Sequence, residues 1–480
     1  MAVVTRIVII GGGPGGYEAA LVASRLGADV VLVEAEGVGG ASVLTDCVPS
    51  KTLIATADVM TSFESAEELG IRVGGSAHQQ HGGGAPAGGS CVTGVNLDKV
   101  NRRVKDLASA QSVDIGEALG KAGVQIVAGA GRLTPDRQVE VDLPDGTVAL
   151  YHADVILLAT GVRPREVPEA MPDGERILNW KQVYNLTELP PELIVVGSGV
   201  TGAEFAGAFQ ALGSTVTLVS SRDRVLPGED ADAAEVLERV FRRRGMRVLS
   251  RSRAASAVRE GDRVVVTLED GRTVAGSHVL MAVGSLPNTE GLGLEEAGVT
   301  LSKSGHIEVD RVSRTSAPGV YAAGDVTGVL LLASVAAMQG RIAMYHALGE
   351  AVWPINLKRV SSNIFTSPEV ATVGQTNVNA HHDSPGFNEY KLALDSNPRA
   401  KMLGFKDGFV KLFSRKGSDT VVGGVVVAPR ASELIHPITM AVDLHLTVDQ
   451  VASVFTVYPS LSGSVAEAAR RLHAGVKDED

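Results

Sequence analysis

The stretch IVIIGGGPGGYEAALVASRLGADVVLVEAE, residues 7–36, decides the fold. An apolar run leads into Gly11, Gly13 and Gly16, an Ala-rich helical segment follows, and a second apolar run ends at Glu34. This order predicts a strand, a tight turn, a helix and a second strand. Glycines permit the turn, the approach of the backbone to a pyrophosphate and close helix–strand packing, so the stretch predicts a dinucleotide-binding unit.

The same pattern returns in LIVVGSGVTGAEFAGAFQALGSTVTLVSSR, residues 193–222, with Gly197, Gly199 and Gly202 in the turn. One such turn is a weak signal, but two in complete strand–turn–helix–strand frames are specific. The fold class predicted is α/β, with two Rossmann-type dinucleotide-binding domains followed by an α+β tail from about residue 355.

Composition narrows the class of protein further. The chain has 480 residues, of which 21% are charged and 44% apolar, and a net charge of −11. The negative charge disfavours a nucleic-acid partner. Two cysteines cannot form a disulfide scaffold and favour a reducing compartment. The N-terminal apolar run ends in a glycine turn and is too short for a membrane span. We therefore expect a cytoplasmic protein without integral membrane contact.

Residues 74–93 interrupt the pattern with a Gly/Ala/Ser-rich segment, which predicts a flexible surface insertion. It contains His78, His81 and Cys91. A loop so rich in glycine loses much entropy when it holds ligands, so no metal site is predicted there. Cys91 is interpreted as a dispensable thiol.

The ordered motifs resemble those of the class I pyridine nucleotide-disulfide oxidoreductases, flavoproteins that include dihydrolipoamide dehydrogenase and glutathione reductase. After the first glycine turn come CVPSK at 47–51 and LATG at 158–161; after the second come VGSLPN at 283–288, GD at 324–325 and IFTSPEVATVG at 364–374. The resemblance implies an FAD domain at 1–160, an NAD(P) domain at 161–285, a central domain at 286–354 completing the FAD site, and a dimerisation domain at 355–480 that makes a homodimer.

The resemblance also implies the site residues. Lys51 matches the lysine near the flavin, and Glu204 matches the acid that pairs with it beside the nicotinamide. Glu34 matches the carboxylate that takes the adenosine ribose of FAD, and Asp325 matches the one that binds the ribityl chain. The further cofactor-binding residues implied are Gly11, Gly13, Gly16, Gly131 and Ala333 for FAD, and Gly197, Gly199, Gly202 and Gly284 in the nucleotide motifs.

The nucleotide preference is predicted from the end of the strand after the second glycine turn. NAD-selective relatives have a glutamate there, whereas this chain has Ser220, followed by Ser221 and Arg222. A carboxylate would repel a 2′-phosphate, whereas hydroxyl groups and a guanidinium can bind it. We expect NADPH to be used at least as well as NADH.

The resemblance fails where disulfide chemistry is needed. The family has a second cysteine, separated by four intervening residues from the one matched by Cys47, but here that position is Ser42, and a thiol–disulfide cycle needs two sulfurs. The family also has His-Pro-Thr-x-x-Glu near its C-terminus, with a histidine–glutamate pair that acts as general acid. Here Tyr458 and Gly463 stand at those positions, and Glu467 lies too far along to substitute.

This joint loss indicates a shorter path in which hydride passes from NAD(P)H to FAD and electrons go directly to a small, flat acceptor, for which a quinone fits best. The pattern is similar to that of family members without the dithiol that act as NAD(P)H:quinone reductases. Three alternatives stay open: a transhydrogenase, a single-thiol NADH oxidase or peroxidase, and a non-catalytic subunit of a dehydrogenase complex. Cys47 is interpreted as a packing residue or as a thiolate that tunes the flavin. Tyr458 is interpreted as an interface residue or as a catalytic residue of the acceptor pocket.

Overall fold

The computed structural model describes residues 4–64, 70–71, 94–376 and 386–473. The chain divides into two compact units. The first unit comprises the described residues within 1–50, 102–165 and 283–356, and the second unit those within 51–101, 166–282 and 357–480. The predicted domain boundaries after residues 160, 285 and 354 stay a proposal.

The first unit is built on a five-stranded parallel sheet. Its strands, in spatial order, are Val320–Ala322, Val155–Leu158, Arg6–Ile10, Asp29–Glu34 and Gln125–Ala128. Ile7 and Ile9 pack on one face among helical alanines, while Val8 and Ile10 pack on the other face. Both faces are therefore buried, which explains why the strand is continuously apolar rather than alternating.

Smaller elements complete the first unit. An antiparallel sheet of Ala130–Leu133, Gln138–Asp142 and Val148–His152 contributes to the core on the Val8 face, and a two-stranded ribbon joins Val162–Pro164 to Ser285–Pro287. The helices Pro14–Arg25 and Ala333–Ala347 pack closely, since a Cβ on Gly340 would lie 2.0 Å from the carbonyl oxygen of Gly15. Gly340 is therefore required for this helix contact.

The second unit contains a second five-stranded parallel sheet. Its strands, in spatial order, are Arg247–Leu249, Thr215–Val219, Glu192–Val196, His278–Met281 and Ile177–Asn179. A three-stranded antiparallel sheet of Ala254–Glu260, Arg263–Leu268 and Thr273–Gly276 is inserted before the strand His278–Met281. The two parallel sheets are those that the two glycine-turn stretches predict.

The C-terminal part of the second unit is α+β. Its antiparallel sheet has the order Ser361–Ile364, Glu369–Gly374, Val421–Ala428, Phe409–Arg415 and Phe387–Ala393, and it shares a core with the helices Ala431–Asp443 and Gly463–His473. The remaining α-helices of the described chain are Gly40–Leu44, Cys47–Glu64, Leu97–Lys121, Val200–Leu212, Ala231–Arg243, Pro398–Met402 and Val448–Ala452, with 3₁₀ turns at Pro168–Ala170, Gln182–Asn185, Asp325–Thr327 and Leu357–Arg359.

Candidate functional site

The first glycine turn forms an open cradle at the start of the helix Pro14–Arg25. A Cβ on Gly11 would lie 2.3 Å from the oxygen of Ala159, and one on Gly16 would lie 1.8 Å from the oxygen of Gly11, so neither position admits a side chain. At Gly13, which caps the helix, a Cβ would meet nothing within 4 Å in the described part of the chain. Open space before a helix N-terminus is suited to a pyrophosphate.

Glu34 ends the strand beside this cradle. Its Oε2 accepts a hydrogen bond from the Gly12 amide at 2.5 Å, and its Oε1 accepts from the amides of Glu36 and Gly37 at 2.7 and 3.2 Å. These bonds hold a half-buried carboxylate next to the turn, which is the position expected of a ligand to the FAD ribose.

Asp325 begins the 3₁₀ turn that follows the strand Val320–Ala322. Burial raises the pKa of the Asp325 carboxyl to about 6, and the charge of Asp46 adds to the increase. No hydrogen bond to this carboxylate comes from the described residues, so it is suited to accept from ligand hydroxyl groups.

Gly131, another predicted FAD contact, lies in the strand Ala130–Leu133, where a Cβ would meet Ile10 and Val33.

Two other predicted residues are placed by backbone geometry. Ala333 is exposed at the first position of the helix Ala333–Ala347. Gly284 has φ +94° and its carbonyl oxygen accepts from the Arg165 amide at 3.0 Å. Their predicted contacts with cofactor stay predictions.

The second glycine turn repeats the geometry of the first. A Cβ on Gly197 would lie 2.1 Å from the oxygen of Ala282, one on Gly202 would lie 1.9 Å from the oxygen of Gly197, and the space at Gly199 is open within the described residues. Gly199 caps the helix Val200–Leu212. The second unit therefore has a second cradle that is suited to a pyrophosphate.

The residue after the neighbouring strand differs between the cradles. Gly11 and Glu34 are 23 residues apart, and so are Gly197 and Ser220. Where Glu34 accepts from a glycine amide, the Ser220 hydroxyl lies 2.7 Å from that of Ser198 and accepts from the Arg222 amide at 3.1 Å. The second cradle therefore has no carboxylate at the position of Glu34.

Ser220 does not present its hydroxyl group to solvent. The residue is fully buried, and its hydroxyl bonds within the loop and to Ser198. The predicted contact of Ser220 with the nucleotide stays a prediction: in this structure its hydroxyl bonds within the loop, while Ser221 and Arg222 are exposed. Sequence spacing could not reveal this, because the direction of the side chain depends on the facing Ser198.

Lys51 and Glu204 form an ion pair in the second unit, with Nζ and Oε2 2.9 Å apart. Glu204 is only 4% exposed, and its Oε1 accepts from the Phe365 amide at 2.9 Å. The Lys51 ammonium lies 5.0 Å from the centre of the Phe365 ring. Both carboxylate oxygens and the cation are therefore fixed, and Phe365 is a site residue that sequence reasoning missed.

The segment that resembles the family's redox motif contains one sulfur. Ser42 lies in the helix Gly40–Leu44, and its hydroxyl donates to the Gly39 oxygen at 3.1 Å. Cys47 is a half-buried thiol at the first position of the helix Cys47–Glu64, one turn before Lys51. Without a second sulfur at position 42, this segment cannot form the disulfide of the family cycle.

The C-terminal acid–base pair is also replaced. Gly463 starts the helix Gly463–His473, and Glu467 lies one turn further on. The Glu467 carboxylate bonds Nε of Arg470 and of Arg471, each at 2.9 Å, and the Arg471 bond lowers its pKa. Glu467 is thus held as an ionised partner of two arginines, unsuited to support a general acid at Tyr458.

Tyr458 belongs to an exposed apolar run. Its side chain is 83% exposed in the single chain, and Phe455 and Val457 are 101% and 77% exposed. Contiguous exposed apolar side chains are typical of a surface that another protein covers. This is compatible with both roles predicted for Tyr458, which each place it at a subunit interface.

The predicted insertion at 74–93, with its histidines and Cys91, lies outside the described residues. Within the described ranges, no group of three or more His, Cys, Asp and Glu side chains could hold a metal ion. No helix in the described part is both long and apolar enough to cross a membrane.

Comparison with known proteins identifies the family. Residues 5–340 match the pyridine nucleotide-disulphide oxidoreductase family, and residues 360–469 match its dimerisation domain. The chain therefore belongs to this family, and it is an oxidoreductase that uses FAD and NAD(P)H. The matched dimerisation domain supports the predicted homodimer. The predicted family, fold class and enzyme class are confirmed.

Two curated relatives are informative. The chain is 52% identical to an NAD(P)H dehydrogenase (quinone) of Mycobacterium tuberculosis, covering 98% of this chain and 94% of the relative. It is 33% identical to a dihydrolipoyl dehydrogenase of Chlorobaculum tepidum, covering 96% of each. The crystal structure of LpdA from M. tuberculosis matches with a TM-score of 0.91 and 52% identity, over 98% of this chain and all of that one.

Proposed function

We propose that this protein is an FAD-dependent NAD(P)H:quinone oxidoreductase without disulfide reductase activity. The observation that carries the proposal is the replacement of the dithiol and its acid–base pair, while both glycine-turn cradles are kept. Ser42 bonds to backbone, and Glu467 bonds to arginines. The relative from M. tuberculosis is named for quinone reduction, which supports the same acceptor class.

The residues of the first unit fit FAD. The cradle at Gly13 would hold the pyrophosphate, Glu34 the adenosine ribose, and Asp325 the ribityl hydroxyl groups. Bound FAD supplies the redox chemistry of the overall reaction, NAD(P)H + H⁺ + quinone → NAD(P)⁺ + quinol. The chain itself orients the two reactants and provides the local charge.

Lys51 supplies a positive charge that Glu204 and Phe365 hold in one place. A fixed cation stabilises negative charge that develops in the reaction and needs no reorganisation to do so. The carboxylate of the pair is shielded from water, since Glu204 is 4% exposed, whereas the Lys51 side chain is 30% exposed. This role needs no nucleophile, so it survives the loss of the second cysteine.

Tyr458 is proposed to line the acceptor site from the second subunit, where its phenol would donate to a quinone oxygen. Its exposure in the single chain leaves the hydroxyl available for such a contact.

We also propose the cytoplasmic location that the composition predicts.

NADPH is proposed as a substrate at least as good as NADH. The second cradle has buried Ser220 where the first has Glu34, so a 2′-phosphate meets no carboxylate at that position. Exposed Arg222 follows it. The resulting charge favours a phosphate without excluding NADH.

An acceptor panel tests the proposal. Purified, FAD-loaded enzyme is mixed rapidly with NADPH, and then with a benzoquinone, a naphthoquinone, NAD⁺, lipoamide, glutathione disulfide, oxygen or hydrogen peroxide. We expect NADPH to bleach the flavin and quinones to restore its colour at a rate that matches turnover. Restoration by lipoamide at the same rate would refute the proposal.

The panel also separates the alternatives. Restoration by NAD⁺ alone would indicate a transhydrogenase, and restoration by oxygen or peroxide that requires Cys47 would indicate an oxidase or peroxidase. If neither NADPH nor NADH bleaches the flavin, the result would indicate a non-catalytic subunit. Cys47→Ser is the matched variant, since it removes the one sulfur of the segment that resembles the redox motif and keeps a side chain of similar size.

A further inference from the structure

Two arginines from different loops meet beside the second cradle. The strands Thr215–Val219 and Arg247–Leu249 are parallel neighbours, with Val219 opposite Leu249, so the loops that follow them leave the same edge of the sheet. The Arg251 amide donates to the Arg222 oxygen at 2.6 Å, and the Ser252 amide donates to the Ser220 oxygen at 2.7 Å. The two loops are therefore joined through their backbones.

The charges at this junction are unbalanced. Arg222 and Arg251 are both exposed, and in the described part of the chain neither forms an ion pair with a carboxylate. The next arginine along, Arg253, has its guanidinium 3.7 Å from Glu269. Asp223, beside Arg222, is exposed and contributes one negative charge, so the second arginine is needed to leave the junction positive.

The backbone of Arg251 is also unusual. Its φ is +51°, the left-handed region that a non-glycine residue enters at a cost of roughly 1–2 kcal/mol. The flanking bonds to Ser220 and Arg222 hold it there. Such a conformation, held in place by its surroundings, is typical of functional positions.

We infer that Arg222 and Arg251 together form the 2′-phosphate site for NADPH, and that Arg251 is a specificity-determining residue of this enzyme. The inference rests on the proposed use of NADPH. A phosphate dianion accepts paired hydrogen bonds from the planar forks of two guanidinium groups, and the edge of a parallel sheet beyond its strand ends is where the nucleotide ribose binds. Arg251 lies 29 residues beyond Arg222 in the sequence, so only the pairing of the strands brings it to the site.

Binding of 2′,5′-ADP and of 5′-AMP to the FAD-loaded enzyme tests the inference, because the two ligands differ only in the 2′-phosphate. We expect Arg251→Ala to weaken 2′,5′-ADP binding by about tenfold or more, since a hydrogen bond to a charged group is removed. Binding of 5′-AMP should change by less than about twofold, within the range of a surface substitution. Calorimetry measures both, and Arg251→Lys should restore part of the preference, because it keeps the charge without the fork.

Arg253→Ala is the matched control, on the same loop but already beside Glu269. It should leave the ratio of the two affinities as in the unaltered enzyme. If Arg251→Ala lowers the affinity for both ligands equally, the residue has a structural role and the inference is overturned. So would an unchanged ratio, or an unaltered enzyme that binds 2′,5′-ADP no better than 5′-AMP.

Failure of the proposed function would be seen separately. Quinone turnover with NADPH and NADH is measured on the unaltered enzyme, whereas the affinity ratio involves neither quinone nor electron transfer. An enzyme that reduces no quinone but loses its 2′,5′-ADP preference in Arg251→Ala supports the phosphate site alone. An enzyme that reduces quinones but keeps that preference in Arg251→Ala overturns the inference alone.

Discussion

Lys411→Met should destabilise the protein strongly. Lys411 lies in the strand Phe409–Arg415 with its side chain fully buried, and its ammonium donates to both oxygens of Asp230, at 2.9 and 3.0 Å, and to Asp232. Asp230 is also fully buried and caps the helix Ala231–Arg243, accepting from the amides of Asp232 and Ala233. The substitution keeps an unbranched side chain, one heavy atom shorter, but leaves a buried carboxylate without its cation.

Removing one partner of a buried ion pair costs about 3–5 kcal/mol, because the other charge stays desolvated. Lys391→Met is the matched control: this lysine is 3.3 Å from Asp232 but 45% exposed, so its loss should cost about 0–1 kcal/mol. Lys411→Met combined with Asp230→Asn should cost less than Lys411→Met alone, since no unpaired buried charge remains and asparagine still caps the helix.

Urea denaturation at fixed protein and FAD concentrations gives these differences from the shift in midpoint and the slope. The acid side of the stability profile gives a second measure. Burial raises the pKa of the Asp232 carboxyl, but the bonds to Lys411 and Lys391 outweigh burial and leave its pKa below the usual value. Its stabilisation is present above about pH 4 and lost as the pH falls through the lowered pKa. Lys411→Met removes one of the bonds that lower this pKa, so the stability lost on acidification should be smaller in the variant. A cost no larger than that of Lys391→Met would refute the reasoning.

Three further predictions concern the site. Lys51→Ala should slow flavin reduction by NADPH about tenfold or more with FAD still bound, because a fixed charge is lost; stopped-flow absorbance measures this, and an unchanged rate would contradict it. Cys47→Ser should keep most quinone turnover in a steady-state assay, since no disulfide forms; inactivity of the FAD-loaded variant would count against direct transfer. In FAD-free protein, Asp325 with its pKa of about 6 keeps a proton that the unfolded chain releases, so stability should fall by up to roughly 3 kcal/mol as the pH rises from about 4 to 6. Asp325→Asn should remove that dependence in denaturation curves, and a slope equal to that of the unaltered protein would exclude the burial effect.

The sequence by itself determined the two parallel sheets and the family. Gly16 and Gly202 are required by contacts within one strand–turn–helix frame, where a Cβ would meet the oxygens of Gly11 and Gly197. Such frames are local, so spacing along the chain predicts them. The missing sulfur at Ser42 is likewise readable from the sequence alone, because a serine cannot form a disulfide in any fold.

Only the tertiary structure decided which side chains face one another. Ser220 turns inward because Ser198 lies opposite it, and Phe365 reaches Glu204 across 161 residues. Arg251 joins Arg222 because two strands are neighbours in the sheet, and Lys411 neutralises Asp230 across 181 residues. Spacing along the chain determines local conformation, but contacts between distant segments depend on sheet order and on the packing of the whole unit, which no local pattern contains.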